Sequence, residues 1–109
     1  MEARAEERLL RLVGLGVRSR GAVVGVGRVR EAAKQGKLAL AIVATDASVH
    51  SAAKVVPLLE ARRVEIVRVA SAVALGRAVG REQTAAVGIV DRQLARGMRE
   101  AMVSAPHRG

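Results

Sequence analysis

Leu38-Ala39-Leu40-Ala41-Ile42-Val43-Ala44 carries no polar side chain. A strand with one wet face alternates apolar and polar residues, whereas a strand apolar at every position must be covered on both faces. This segment therefore reads as the central buried strand of a sheet. The rest of the chain has to supply what covers it.

Upstream, Ala3 to Leu15 puts Leu9, Leu12, Val13 and the neighbouring Leu10 on one helical face and Arg4, Arg8 and Arg11 on another. That is an amphipathic helix, with Gly14 and Gly16 as its stop. A turn through Ser19, Arg20 and Gly21 leads to a short apolar piece, Ala22 to Val24. After Gly25 and Gly27 a second helix is expected, with Val29, Ala32 and Ala33 inward and Gly36 ending it.

Downstream, Thr45, Asp46 and Ser48 form a loop at the strand's carboxyl end. Ala52, Val55, Val56 and Leu59 then recur at helical spacing, with Pro57 expected to kink that helix or start a second segment. Val64 to Val69 is a third strand, flanked by Arg62 and Arg63. Ser71 is a cap for a short helix, Ala72 to Val79, closed by Gly80. Thr84 to Val90 is a fourth apolar strand. Asp91 caps a last helix with Leu94, Ala95, Met98, Ala101 and Met102 along its inner stripe.

Strands alternating with helices over this length give an α/β fold: a three-layer α/β/α sandwich on a four-stranded, mostly buried, mixed sheet. At 109 residues the chain makes one domain, residues 1–103, followed by a frayed tail from Ser104 to Gly109. No internal repeat, low-complexity tract or linker interrupts it.

Composition narrows the function. Half of the chain is hydrophobic, nearly all of it Ala, Val, Leu and Ile, without a single Phe, Tyr or Trp. Cysteine is absent, which excludes a disulfide framework and a thiolate metal site. No run of about 18 apolar residues is present, and Glu2, Glu6 and Glu7 make the N-terminus unlike a signal peptide. The expected setting is the cytoplasm, with no membrane partner. Nineteen Lys and Arg against ten Asp and Glu give a net charge of +9, a field that draws polyanions. Single-strand binders that stack bases need aromatic faces. Here any RNA has to be held by backbone amides, by Arg and Lys on phosphates, and by shape.

Signs of catalysis are weak. Gly25-Val26-Gly27 opens like a dinucleotide loop, but Arg30 stands where the third glycine belongs. His50 and His107 lie far apart with no cluster of metal-ligand spacing around either. Asp46 and Asp91 read as capping or turn residues, and none of the serines sits in a nucleophile elbow. Neither a metal nor a cofactor is expected. Arg4, Arg8 and Arg11 alternate with Glu and read as a solvated face; Arg92, Arg96 and Arg99 on the last helix repeat the pattern with less acid nearby, either as a solvated face or as a second RNA or ribosome contact.

Several segments in order resemble the kink-turn RNA-binding family of ribosomal proteins, the L-seven-Ae type. They are Gly25-Val-Gly-Arg-Val-Arg-Glu-Ala-Ala-Lys-Gln-Gly36-Lys37, the buried strand running into Thr45-Asp46-Ala47-Ser48, Pro57-Leu-Leu-Glu60, and Leu75-Gly76-Arg-Ala-Val-Gly80 with its following strand. They span roughly residues 9 to 103. The Thr-Asp-Ala-Ser turn and the Leu-Gly-Arg-x-x-Gly segment are most similar to the bacterial YlxQ and YbxF branch.

The resemblance implies a non-catalytic protein that binds ribosomal or other structured, kinked RNA. Family members lay the start of the second helix in the RNA groove and close the loop before the last strand over an extruded nucleotide. Those places here are Gly25, Val26, Gly27, Arg28, Arg30, Lys34 and Lys37, then Arg81 to Thr84 and Ala85, with Arg77 expected nearby. Helix N-terminal amides behind a glycine-rich turn favour phosphate on general grounds.

The chain also departs from the family pattern. Val26, Gly27 and Arg28 stand where a small polar residue, Asn and Glu are usual, and Glu31 stands where Lys is usual. Binding driven by phosphates and RNA shape is therefore expected rather than the usual readout of sheared G·A pairs. The alternative is a protein-interaction module of the same fold, with ribosomal, transcription or translation proteins as partners. A monomer is expected in either case.

Overall fold

The computed structural model describes residues 1–103, and the expected tail from Ser104 to Gly109, with His107, lies outside the described residues. At its centre is β2 (Leu40–Ala44), buried at all five positions. Because side chains alternate along a strand, Leu40, Ile42 and Ala44 join one apolar cluster with Leu9, Val13, Leu75 and Met98. Ala41 and Val43 join a second cluster with Val29, Ala33, Val55 and Leu59. Two separate cores on one strand require helices on both sides. α1 (Ala3–Arg18), α4 (Ala72–Ala78) and α5 (Arg92–Val103) cover one face; α2 (Val26–Lys34) and α3 (Val49–Ala61) cover the other.

The sheet has the order β1-β4-β2-β3, with β1 (Ala22–Val24), β3 (Ile66–Val69) and β4 (Ala86–Ile89). β2 and β3 run parallel, as a crossover through α3 demands, and β4 pairs antiparallel with both β1 and β2. The expected three-layer α/β/α sandwich on a four-stranded mixed sheet is the observed fold.

Some element bounds differ from expectation. α1 does not stop at Gly14 and Gly16 but runs on to Arg18 with both glycines buried inside it. A Cβ built on Gly14 would lie 2.7 Å from the Ala78 carbonyl oxygen, and one on Gly16 would lie 2.5 Å from Leu94 Cδ2. These glycines let α1 approach α4 and α5 closely, which offsets a helix-propensity cost of about 1 kcal/mol each.

Pro57 lies within α3 without ending it. Its missing N–H leaves the Ala53 carbonyl without its helical donor, and Arg30 Nη1 donates to the adjacent carbonyl, that of Lys54. The strands are also shorter than their apolar runs. Leu38 packs on the second core outside β2, and Thr84, 7% exposed, precedes β4 with its hydroxyl donating to the Ala86 carbonyl at 3.3 Å.

Helix ends follow their caps. Glu2 accepts from the Ala5 amide, Ser48 from Ser51, Ser71 from Ala74, and Asp91 from Gln93 and Leu94. Asp46, expected as a cap beside Ser48, serves a different helix: its Oδ1 accepts from the first amide of α4, Ala72, at 2.8 Å. α2 has no side-chain cap.

Candidate functional site

The turn from β1 into α2 is set by Gly25, whose φ of 98° lies in the region that favours glycine. Its own amide is spent on the sheet, donating to the Ala86 carbonyl at 2.9 Å. Its carbonyl closes the first helical bond, with the Val29 amide at 3.0 Å. The amides of Val26, Gly27 and Arg28 find no acceptor among the described residues, as the first turn of an uncapped helix dictates. They carry the positive end of the helix dipole. Val26 and Gly27 also line a groove of about 640 Å³ between α2 and α3, with Arg30, Ala53 and Lys54.

The loop before β4 meets this turn. A Cβ on Gly25 would lie 3.8 Å from Arg81 Nη1, so the guanidinium stands at the helix N-terminus. Thr84 reaches the same place through β4, since the Ala86 carbonyl accepts both from its hydroxyl and from the Gly25 amide. The loop is pinned from behind. Gly76 of α4 accepts from the Arg81 amide at 2.8 Å, and a Cβ on Gly76 would lie 2.6 Å from the Gln83 nitrogen. Backbone is stacked on backbone there, with no room for a side chain.

Thr84 and Ala85 form one wall of a second groove, about 310 Å³, whose other polar groups are Asp46, Ser48, Ser51 and Gln83. It lies beyond the carboxyl end of β2, where α/β folds commonly place ligands. Sequence reasoning points to Thr84 and Ala85, and it notes Asp46 at the carboxyl end of a buried strand, a place for α/β sites, while favouring a capping or turn role with Ser48. That Asp46 and Ser48 share a groove with Ser51, Gln83 and Thr84 comes only from the fold.

The remaining sequence-predicted residues divide. Arg28 and Lys37 line a third groove with Val23, Glu31 and Val90 beside edge strand β1, and Glu31 accepts from the Gln35 amide group at 3.0 Å. Lys34 is exposed at the last turn of α2, where its carbonyl accepts from Arg62 at 3.1 Å. Arg77, expected beside the α2 turn, lines a groove between α1 and α4 together with Arg11 and Arg18. In the sequence Arg11 reads only as one member of a solvated row. On α5, Arg99 is held by Glu65 at 2.6 Å and by the Ala39 carbonyl at 3.1 Å.

The model for the ribosomal protein L7Ae/L30e/S12e/Gadd45 family matches residues 7–102. Among solved structures, the chain is similar to the Giardia lamblia 15.5kD RNA binding protein, with 25% identity, a TM-score of 0.80, and coverage of 94% of this chain and 88% of that one. It is similar also to a Bacillus halodurans C protein of unknown function, with 26% identity, a TM-score of 0.77, and coverage of 86% and 95%. No curated protein matches.

Proposed function

The chain belongs to the ribosomal protein L7Ae/L30e/S12e/Gadd45 family, and on that premise we propose that it is a non-catalytic binder of structured RNA. One observation carries the proposal: free helix-terminal amides, a guanidinium and a polar groove converge on the single junction where Gly25 meets β4. The amides of Val26, Gly27 and Arg28 take a phosphate, Arg81 adds charge beside them, and the groove bounded by Thr84 and Ala85 receives one unstacked base. Likeness to the Giardia RNA binding protein supports the same partner.

Affinity rests on phosphate contacts and RNA shape. Gly27 and Arg28 offer no side-chain amide for base edges, and Glu31 is turned to Gln35. The Thr45-to-Ser48 turn and the Leu75-to-Gly80 segment support a place on the YlxQ-like branch, and with it a cytoplasmic, ribosome-associated monomer. A protein-interaction role draws on one feature, the largely apolar groove of about 330 Å³ beside edge strand β1.

Two measurements test the proposal. Capture from cell extract with and without ribonuclease separates the partners: RNA binding predicts that partners disappear on digestion, and their retention would favour the protein module. In filter binding with a bulged hairpin RNA bearing tandem G·A pairs, Arg28→Glu is expected to raise Kd about tenfold, or 1.4 kcal/mol. Arg96→Glu, on α5, is expected to change it little. Equal losses would remove the site assignment.

A further inference from the structure

Arg11 and Arg18 of α1 and Arg77 of α4 line one groove of about 540 Å³, and the only carboxylate lining it is Glu7. All three arginines are exposed, and none has an ion pair among the described residues, where the one salt bridge joins Arg99 to Glu65. Arg18 and Arg77 each stand in the last turn of a helix and gain from its dipole. Arg11, mid-helix, has no such compensation. Three guanidinium groups against one carboxylate leave a local excess of positive charge that folding alone does not call for.

The floor of the groove is made of small residues. Gly14 and Ala78 bring α1 and α4 so close that a Cβ on Gly14 would meet the Ala78 carbonyl. The cations therefore rim a shallow trough rather than a closed pocket. Arg11 and Arg18 are two helical turns apart, about 10.5 Å along the axis. That span reaches several phosphates of a nucleic-acid strand, each about 3.4 Å of rise in B-form DNA and less in an A-form RNA stem. An adjoining groove of about 320 Å³ shares Gly14, Arg18, Arg77 and Ala78 with the trough and is lined also by Gly80; the next residue, Arg81, stands against Gly25.

We propose that the α1–α4 trough is a second nucleic-acid contact, in which Arg11, Arg18 and Arg77 hold the phosphate backbone of one arm of the RNA seated at the α2 junction. The inference rests on the RNA-binding reading. It adds a footprint on the opposite side of the sheet from α2, reached past Arg81. Continuity of charge with that junction favours a long polyanion over an acidic protein.

The test is fluorescence-anisotropy binding across a salt series, with two bulged hairpins that differ only in one stem, short in the first and longer by a helical turn in the second. The variants are Arg11→Gln/Arg18→Gln, a separate Arg77→Gln in case changes on α1 unfold the helix, and a charge-matched control, Arg92→Gln/Arg96→Gln. For the long-stem RNA, the α1 double variant is expected to lower the slope of log K against log salt by about 1.8 relative to wild type, roughly 0.9 for each phosphate no longer neutralised. Arg77→Gln should lower it by about half as much. On the short-stem RNA both should match wild type. An unchanged slope, or a decrease equal to the control's, would overturn the trough while leaving the α2 junction intact. Failure of wild type to bind either hairpin would overturn both assignments.

Discussion

A methyl group added at Gly76 would fall 2.6 Å from the Gln83 nitrogen, with backbone on both sides and nothing that can swing away. At Gly27, also helical, the same methyl meets nothing within 4 Å. Gly76→Ala is therefore expected to destabilise the fold by about 1–3 kcal/mol in a denaturant titration, despite the better helix propensity of alanine. It should also loosen the loop that carries Arg81. Gly27→Ala should be neutral or stabilising by up to about 1 kcal/mol, yet bind RNA more weakly, because its methyl stands between the first-turn amides and a phosphate. A variant at Gly27 that binds as wild type would show that the RNA backbone does not come close there. In the sequence Gly76 is simply a glycine in a helical segment, while Gly27 reads as part of the turn before α2, which in fact begins at Val26. What separates them is what lies opposite, and no local pattern encodes that.

At the scale of elements, β2 is legible because seven consecutive apolar residues allow no exposed face, and burial on both sides follows. The end of α1 is not legible, since Gly14 and Gly16 signal a stop by propensity while the neighbouring helices reward their small size. α3 shows the same override. Pro57 costs the ladder the bond to the Ala53 carbonyl, but tertiary packing carries the helix through, with Val55 and Leu59 buried on either side of it. Pro57→Ala is expected to raise stability by about 1–3 kcal/mol, read as an increase in the midpoint of thermal unfolding. Asp46 belongs to this scale too. It ties the loop after β2 to α4, so Asp46→Ala should cost about 0.5–2 kcal/mol and widen the groove beside Thr84. The candidate site is half legible: the glycine-rich turn and the loop before β4 stand out in the sequence. The displacement of Arg77 into a groove with Arg11 and Arg18 comes only from how α1 lies on α4.

For the whole molecule, an excess of nine positive charges on 109 residues is the quantity an RNA partner responds to first. Binding limited by counterion release has to weaken steeply as salt rises. The arrangement of charge adds direction to that general attraction, because Arg81 stands at the α2 junction while Arg99 is tied to Glu65 and the Ala39 carbonyl. On the proposed reading, an RNA phosphate docks on the free amides at the start of α2. Amide-resolved hydrogen exchange with and without the bulged hairpin RNA reaches those groups directly. Slowed exchange at Val26, Gly27 and Arg28, with α5 unaffected, is the predicted result. Unchanged exchange at those three amides under saturating RNA would contradict it.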